Sequence, residues 1–187
     1  GTKKINEVMP KPKEYRGLLN KQRKPSEADL AITSRYGDAK KFAERFNPDI
    51  QKYCAENIEK TFTADTPTIS ALRSAYNDKQ VKVWIIIQIE NLNQFAGTQN
   101  KMEPPQMSML ADIIMAEYGY LKAPELLLFF HRFKAGKHGQ LYGSVDPFRV
   151  TAALVEFAWY RRETIFEIKK TAEKAKRDEW IREFEMK

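Results

Sequence analysis

One cysteine, Cys54, stands in 187 residues, so no internal disulfide framework is available and the fold must be held by its own core. With no signal-peptide pattern at the start, that usage predicts a reducing, cytoplasmic setting. Histidine is almost as scarce. His131 and His138 are the only two, seven apart, with no cysteine nearby and no second ligand pair at metal spacing, which argues against a metal centre. Long apolar runs are missing too. One of the two longest, Val83 to Ile87 flanked by Val81 and Ile89, falls far short of the roughly 20 residues of a membrane helix, so a soluble chain with no membrane partner is expected. No G-x-S-x-G elbow accompanies a serine, Cys54 occupies a helical core position where a thiol is inert, and the carboxylates mark no polar pocket. These absences predict a protein without catalytic residues, metal or cofactor, and not an enzyme.

What is present is apolar residue enough, 42%, for one substantial core, and charge that is unevenly spread. Of the net +7, residues 1–24 supply +6: Lys3, Lys4, Lys11, Lys13, Arg16, Lys21, Arg23 and Lys24 stand against Glu7 and Glu14. The rest of the chain is nearly neutral. Gly1, without an initiator Met, is read as the remnant of a cleaved tag or an excised leader. Pro10, Pro12, Gly17 and Pro25 interrupt the first 25 residues, which are expected to form an extended or disordered basic arm. Such an arm on a neutral body holds polyanions by counterion release; the structural alternative is a solvated leader.

From Ser26 onward helix signals dominate, and the expected fold is all-α: an irregular multi-helix bundle of about seven or eight helices, one domain over 26–187, with a long C-terminal helix. Ser26, with Glu27 and Asp29 behind it, caps a helix that Gly37 stops, and Asp38 starts the next. Asn47-Pro48, Thr66-Pro67, Ala123-Pro124 and Asp146-Pro147 each place proline where a first helical turn accepts it. Ile50, Tyr53, Cys54 and Ile58 keep one stripe from Pro48 to about Thr61. VKVWIIIQI, residues 81–89, is β-branched enough to compete as a strand. Val81, Ile85, Ile89, Leu92 and Ala96 nevertheless hold the helical spacing to Gly97, no second strand exists to pair with it, and it is expected to be the central buried helix. Past Pro147 no proline or glycine occurs, which predicts a rod of roughly 60 Å whose end, 169–187, projects. Trp180, Ile181 and Phe184 near that end mark either a self-association arm, giving a homodimer, or a helix folding back over the core.

Glycine is sparse, eight in all, yet three fall in KAGKHGQLYGSVDP, residues 134–147. Their order, G-x-x-G-x-x-x-G after a helix and with no lysine behind the last, is not a phosphate cradle. Gly136 as a left-handed C-cap, Gly139 and Gly143 in tight turns, and Asp146 as the next cap account for them. Arg132, Lys134, Lys137, His138 and Arg149 gather around the turn with Tyr142 among them, the cation and aromatic mixture of a single-stranded nucleic-acid groove. Phe129, Phe130 and Phe133 read as core. The second cluster, Trp159-Tyr160-Arg161-Arg162, reads as arginines lying along a helix surface. The candidate contact set is therefore Arg132, Lys134, Lys137, His138, Tyr142 and Arg149, with Lys11, Lys13, Arg16, Lys21, Arg23 and Lys24 of the arm.

Residues 118–157 carry a helix, an aromatic and basic end, a G-K-x-G-x-x-Y motif and an acidic residue opening the next helix, at Phe129, Phe130, Phe133, Gly136, Lys137, Gly139, Tyr142 and Asp146. This segment resembles one in small uncharacterised proteins of bacterial prophages and conjugative elements. The resemblance implies an accessory factor of mobile-element DNA replication or maintenance, contacting single- or double-stranded DNA or a replication protein such as a helicase. It brings no catalytic residues. The other class left standing is a structural protein-protein interaction module that self-associates through the long C-terminal helix.

Overall fold

Short polar side chains open most of the helices. In the computed structural model, which describes residues 23–97, 99–139 and 143–186, Ser26 Oγ accepts from the Asp29 N–H at 3.2 Å while Asp29 Oδ2 accepts from the Ser26 N–H at 2.8 Å. That reciprocal capping box starts α1 (Glu27–Tyr36). Asp38 caps α2 (Ala39–Arg45), and Asn47 caps a 3-10 turn (Pro48–Ile50) that leads into α3 (Gln51–Glu56). The helix expected from Pro48 to Thr61 breaks at Asn57, whose φ of −125° and ψ of 57° are not helical, and α4 (Ile58–Thr63) resumes beyond it. Pro67 does not open a helix either. Thr68 caps α5 (Ile69–Tyr76), so Pro67 lies ahead of the cap and its carbonyl accepts from the Ala123 N–H at 3.0 Å.

Asn77, at φ 80°, joins α5 to α6 (Asp78–Ala96), and Gly97 ends α6 in the left-handed region. Residues 81–89 are therefore helix, and the described residues contain no strand. Then follow α7 (Pro104–Glu117), α8 (Ala123–Lys134) and α9 (Pro147–Glu185), the last of 39 residues and about 58 Å at 1.5 Å per residue. The fold is all-helical with a long C-terminal helix, as the capping pattern predicts.

The centre of the bundle is α8 and not α6. Leu126, Leu127, Leu128, Phe129 and Phe130 are all fully buried, which requires neighbours on every side. Helices α3, α4, α6 and α9 supply them. Each such side chain contributes about 1.5–3 kcal/mol by leaving water, an upper bound because the unfolded chain is itself partly collapsed. By contrast α6 is amphipathic: Ile85 and Ile89 are buried, while Val83 and Ile87 are 53% and 41% exposed. Its polar positions Lys79, Lys82 and Glu90 hold that face in water, whereas α8 has one charge among its first eight residues, Glu125.

Several polar side chains inside the core pair across elements. Trp84 Nε1 and Gln88 Nε2 both donate to the Phe46 carbonyl, at 2.8 and 3.2 Å, and Gln51 Nε2 donates to Gln88 Oε1 at 2.8 Å. Asn93 grips the Met102 backbone through both amide atoms at 3.0 Å, which fixes the loop after Gly97. That loop in turn holds the turn before α9, because the Asn100 carbonyl accepts from the Val145 N–H at 2.9 Å.

Candidate functional site

Most cations around the 135–146 turn are engaged by the fold. Gly136, at φ 72°, turns the chain after α8, and the Lys137 N–H returns to the Arg132 carbonyl at 3.0 Å. His138 is thereby carried inward and buried, its ring 6.0 Å from that of Phe129 and 6.3 Å from that of Phe157. Its Nδ1 pairs with Glu156 Oε2 at 3.2 Å, and its Nε2 is buried without a hydrogen-bond partner. Burial holds the imidazole pKa below its usual value; the Glu156 hydrogen bond opposes that shift and the Arg132 charge adds to it. A buried neutral imidazole is not the surface contact that its place between Lys137 and Tyr142 suggests.

Arg132 lies over the Tyr160 ring, with its guanidinium carbon 3.5 Å from the ring centroid and its Nε buried without a partner. Lys134 donates to Asn91 Oδ1 at 2.8 Å and lies 5.6 Å from the Phe95 ring centroid. Desolvation lowers the Lys134 pKa, opposed by the Asp49 charge. Both residues are spent on packing α8 against α9 and α6. Arg149 is exposed but its guanidinium covers Gly139, where an added Cβ would stand 2.5 Å from an arginine nitrogen. Lys137 is exposed. Of the arm, Arg23 lies 3.8 Å from Asp29 and Lys24 is exposed. The Asp29 carboxyl is held down at about 2, chiefly by hydrogen bonds from Ser74 and Ser26. Lys11, Lys13, Arg16, Lys21 and Tyr142 lie outside the described residues. The expected cluster is thus divided, with Lys137 and Arg149 facing water while Arg132, Lys134 and His138 hold helices together.

Cys54 is buried as its helical register predicts, and desolvation pushes its thiol up to about 11, far from a reactive thiolate. Among the described residues no three His, Cys, Asp or Glu side chains gather where they could hold a metal ion, and no helix is long and apolar enough to cross a membrane.

The second basic and aromatic cluster is where the sequence reading understates the structure. Arg161 does not merely lie along the surface: its Nε donates at 2.9 Å to Glu125 Oε2, a wholly buried carboxylate. Arg162 lies 5.8 Å from the ring centroid of Trp159, which is 60% exposed. Tyr120, Ala158, Trp159, Arg161, Arg162 and Ile165 line an open cleft of about 400 Å³. The signal available in the sequence is Glu125 itself, a carboxylate inside the most apolar helix that has to find a cation.

Beyond this cleft α9 leaves the body. Val150, Ala153, Leu154 and Phe157 are its buried residues, Tyr160, Ile165 and Ile168 are half-buried, and every residue from 169 to 186 is exposed. The helix does not fold back. Trp180 and Phe184, 64% and 72% exposed, stack on each other at 5.6 Å.

A family model described as a family of unknown function (DUF6633) matches residues 101–181. That is less than half of the chain, and it takes in α7, α8, the turn and α9 as far as Ile181. The G-K-x-G-x-x-Y segment, 118–157, lies inside it. No curated protein and no solved structure matches the chain.

Proposed function

We propose that this protein is a non-catalytic helical binding protein whose contact surface is the solvent side of α9. One observation carries the reading: residues 169–185 are helical with every side chain exposed, yet they include Trp180, Ile181 and Phe184. A helical segment without tertiary packing is marginal in water, and contiguous exposed aromatics mark interaction sites. Docking on a partner gains about 1.5–3 kcal/mol for each large apolar side chain covered. The test compares the full chain with a chain ending at Lys169 and with W180A/F184A. Both variants are expected to keep the thermal midpoint of the bundle and to lose association, read by sedimentation and by capture from a host extract. Unchanged behaviour in both readouts refutes the reading.

A second reading, nucleic-acid contact in mobile-element DNA replication, is supported by Trp159 and Arg162 at the open cleft, an indole and a guanidinium side by side in water. It predicts salt-sensitive, sequence-tolerant binding of DNA, weakened by W159A/R162A. Fluorescence anisotropy at low salt with no binding of single- or double-stranded DNA removes it. A replication protein such as a helicase belongs to the first reading, as one class of docked partner.

A further inference from the structure

Resting on the reading of α9 as the contact surface, the exposed seam of that helix names an occupant. Phe166, Lys170, Glu173, Arg177, Trp180 and Phe184 follow at steps of four, three, four, three and four residues, the alternation that keeps side chains on one seam. All six are exposed. At 3.6 residues per turn they lie on the side of α9 opposite Val150, Leu154 and Phe157, so the seam faces away from the body.

The seam is self-complementary in one direction only. In an antiparallel pair with its midpoint at residue 175, Phe166 meets Phe184 of the second copy, Lys170 lies over its Trp180, and Glu173 meets its Arg177. Two-fold symmetry makes each contact twice. These are aromatic, cation–π and ion-pair layers. A parallel, in-register pair would instead set lysine on lysine, glutamate on glutamate and arginine on arginine in successive layers, which repel. The charge along the rod divides in the same sense. Residues 169–177 hold Lys169, Lys170, Lys174, Lys176 and Arg177 against Glu173, whereas 178–186 hold Asp178, Glu179, Glu183 and Glu185 against Arg182. Antiparallel overlap sets the basic half against the acidic half.

We infer that the occupant is a second copy of this chain, bound as an antiparallel, two-fold pair of α9 helices centred near residue 175. Each body packs on its own helix no farther than Ile168, so the bodies stand at opposite ends of the paired segment. Lys170 gives up little by pairing, since its recorded ion pair in the single chain is a 3.9 Å contact with exposed Glu167. Three aromatic side chains per copy, each covering on the order of 150 Å², give roughly 900 Å² before the charged stems are counted. That is the small end of specific interfaces, and association is about micromolar.

Sedimentation velocity on the full chain is expected to show a reversible monomer–dimer equilibrium that weakens with salt. E173R and R177E each set like charges across the seam and are expected to weaken pairing by about tenfold or more, while an equimolar mixture of the two restores it. Direction is read by oxidative cross-linking: F166C mixed with F184C links into a heterodimer, and neither variant links to itself, Cys54 being buried and silent. Self-linking of either variant overturns the antiparallel arrangement. A full chain still monomeric at about 200 µM overturns the inference altogether. In that event, loss of captured protein by W180A/F184A keeps α9 as a surface for a different partner, and unchanged capture removes the broader reading as well.

Discussion

Replacing Arg161 by Met tests whether the ion pair between α8 and α9 is what allows a carboxylate at the centre of the bundle. The Glu125 side chain is 0% exposed and that of Arg161 is 23% exposed. Glu125 Oε2 accepts from Arg161 Nε and from the Lys122 N–H, both at 2.9 Å, and its Oε1 is buried without a partner. Removing the cation strands a buried charge. Breaking one side of a fully buried pair costs about 3–5 kcal/mol, and here one backbone N–H remains while part of Arg161 is wet, so about 2–4 kcal/mol is expected. For a chain of this size that lowers the thermal midpoint by roughly 5–12 °C. Arg161 also lies 5.3 Å from the Tyr120 ring centroid, so the single substitution removes more than the pair. A double-mutant cycle with Glu125→Gln isolates the coupling, read from urea unfolding by far-UV circular dichroism. The double variant should lose less than the two single losses combined, by about 1 kcal/mol or more. Strict additivity, or an Arg161→Met loss within about 0.5 kcal/mol of zero, refutes the assignment.

Two further perturbations probe the turn between α8 and α9. His138 is held below its usual pKa of 6.5 by burial. The unfolded chain therefore takes up a proton more readily than the folded one, and stability is complete above about pH 6.5 and declines as the pH falls from there toward the lowered folded value. His131 is shifted the same way, chiefly by burial, so His138→Leu should make the pH dependence of the urea midpoint shallower without abolishing it; an unchanged slope refutes the buried placement. Gly139 and Gly136 have φ of 88° and 72°, but only at Gly139 does an added Cβ meet a neighbour, the Arg149 guanidinium. Each Gly→Ala change should cost about 1–2 kcal/mol for the left-handed conformation. Of the two, Gly139→Ala alone should also release Arg149, which is checked by whether Arg149→Ala is destabilising in the parent and neutral in that variant.

What could be read from the chain follows from which forces are local. Caps act over three or four residues, so Ser26, Asp38, Asn47 and Asp146 announce their helices, and Gly37 and Gly97 end theirs. The break at Asn57 has no such signal, because the apolar stripe from Ile50 to Ile58 runs on through it. Rank of burial was not legible either. Residues 81–89 and 126–130 are comparably apolar, and only the packing of four helices around α8 separates a buried helix from an amphipathic one. At the candidate site, Lys137 and Arg149 are placed in water as composition suggests, whereas Arg132, Lys134 and His138 are drawn into contacts with Tyr160, Asn91 and Glu156, all distant in sequence.

That division bears on where the proposed contact surface lies. Arg132 and Lys134 occupy the last turn of α8, where the aligned peptide dipoles give the helix end a partial negative charge and cations are stabilising without any ligand. Their type and position are therefore accounted for by folding, and a cluster that folding accounts for is weak evidence of binding. The seam on α9 is the opposite case. Phe166, Trp180 and Phe184 cap nothing, fill no part of the core and keep 64–72% of their surface in water. A side chain that folding leaves exposed, at a spacing that lines it up with others of matching chemistry, is what the proposed pairing of α9 would cover. In this protein that residue of unexplained surface lies along the projecting helix, about 25 Å of it beyond Lys169, and not in the glycine-rich turn.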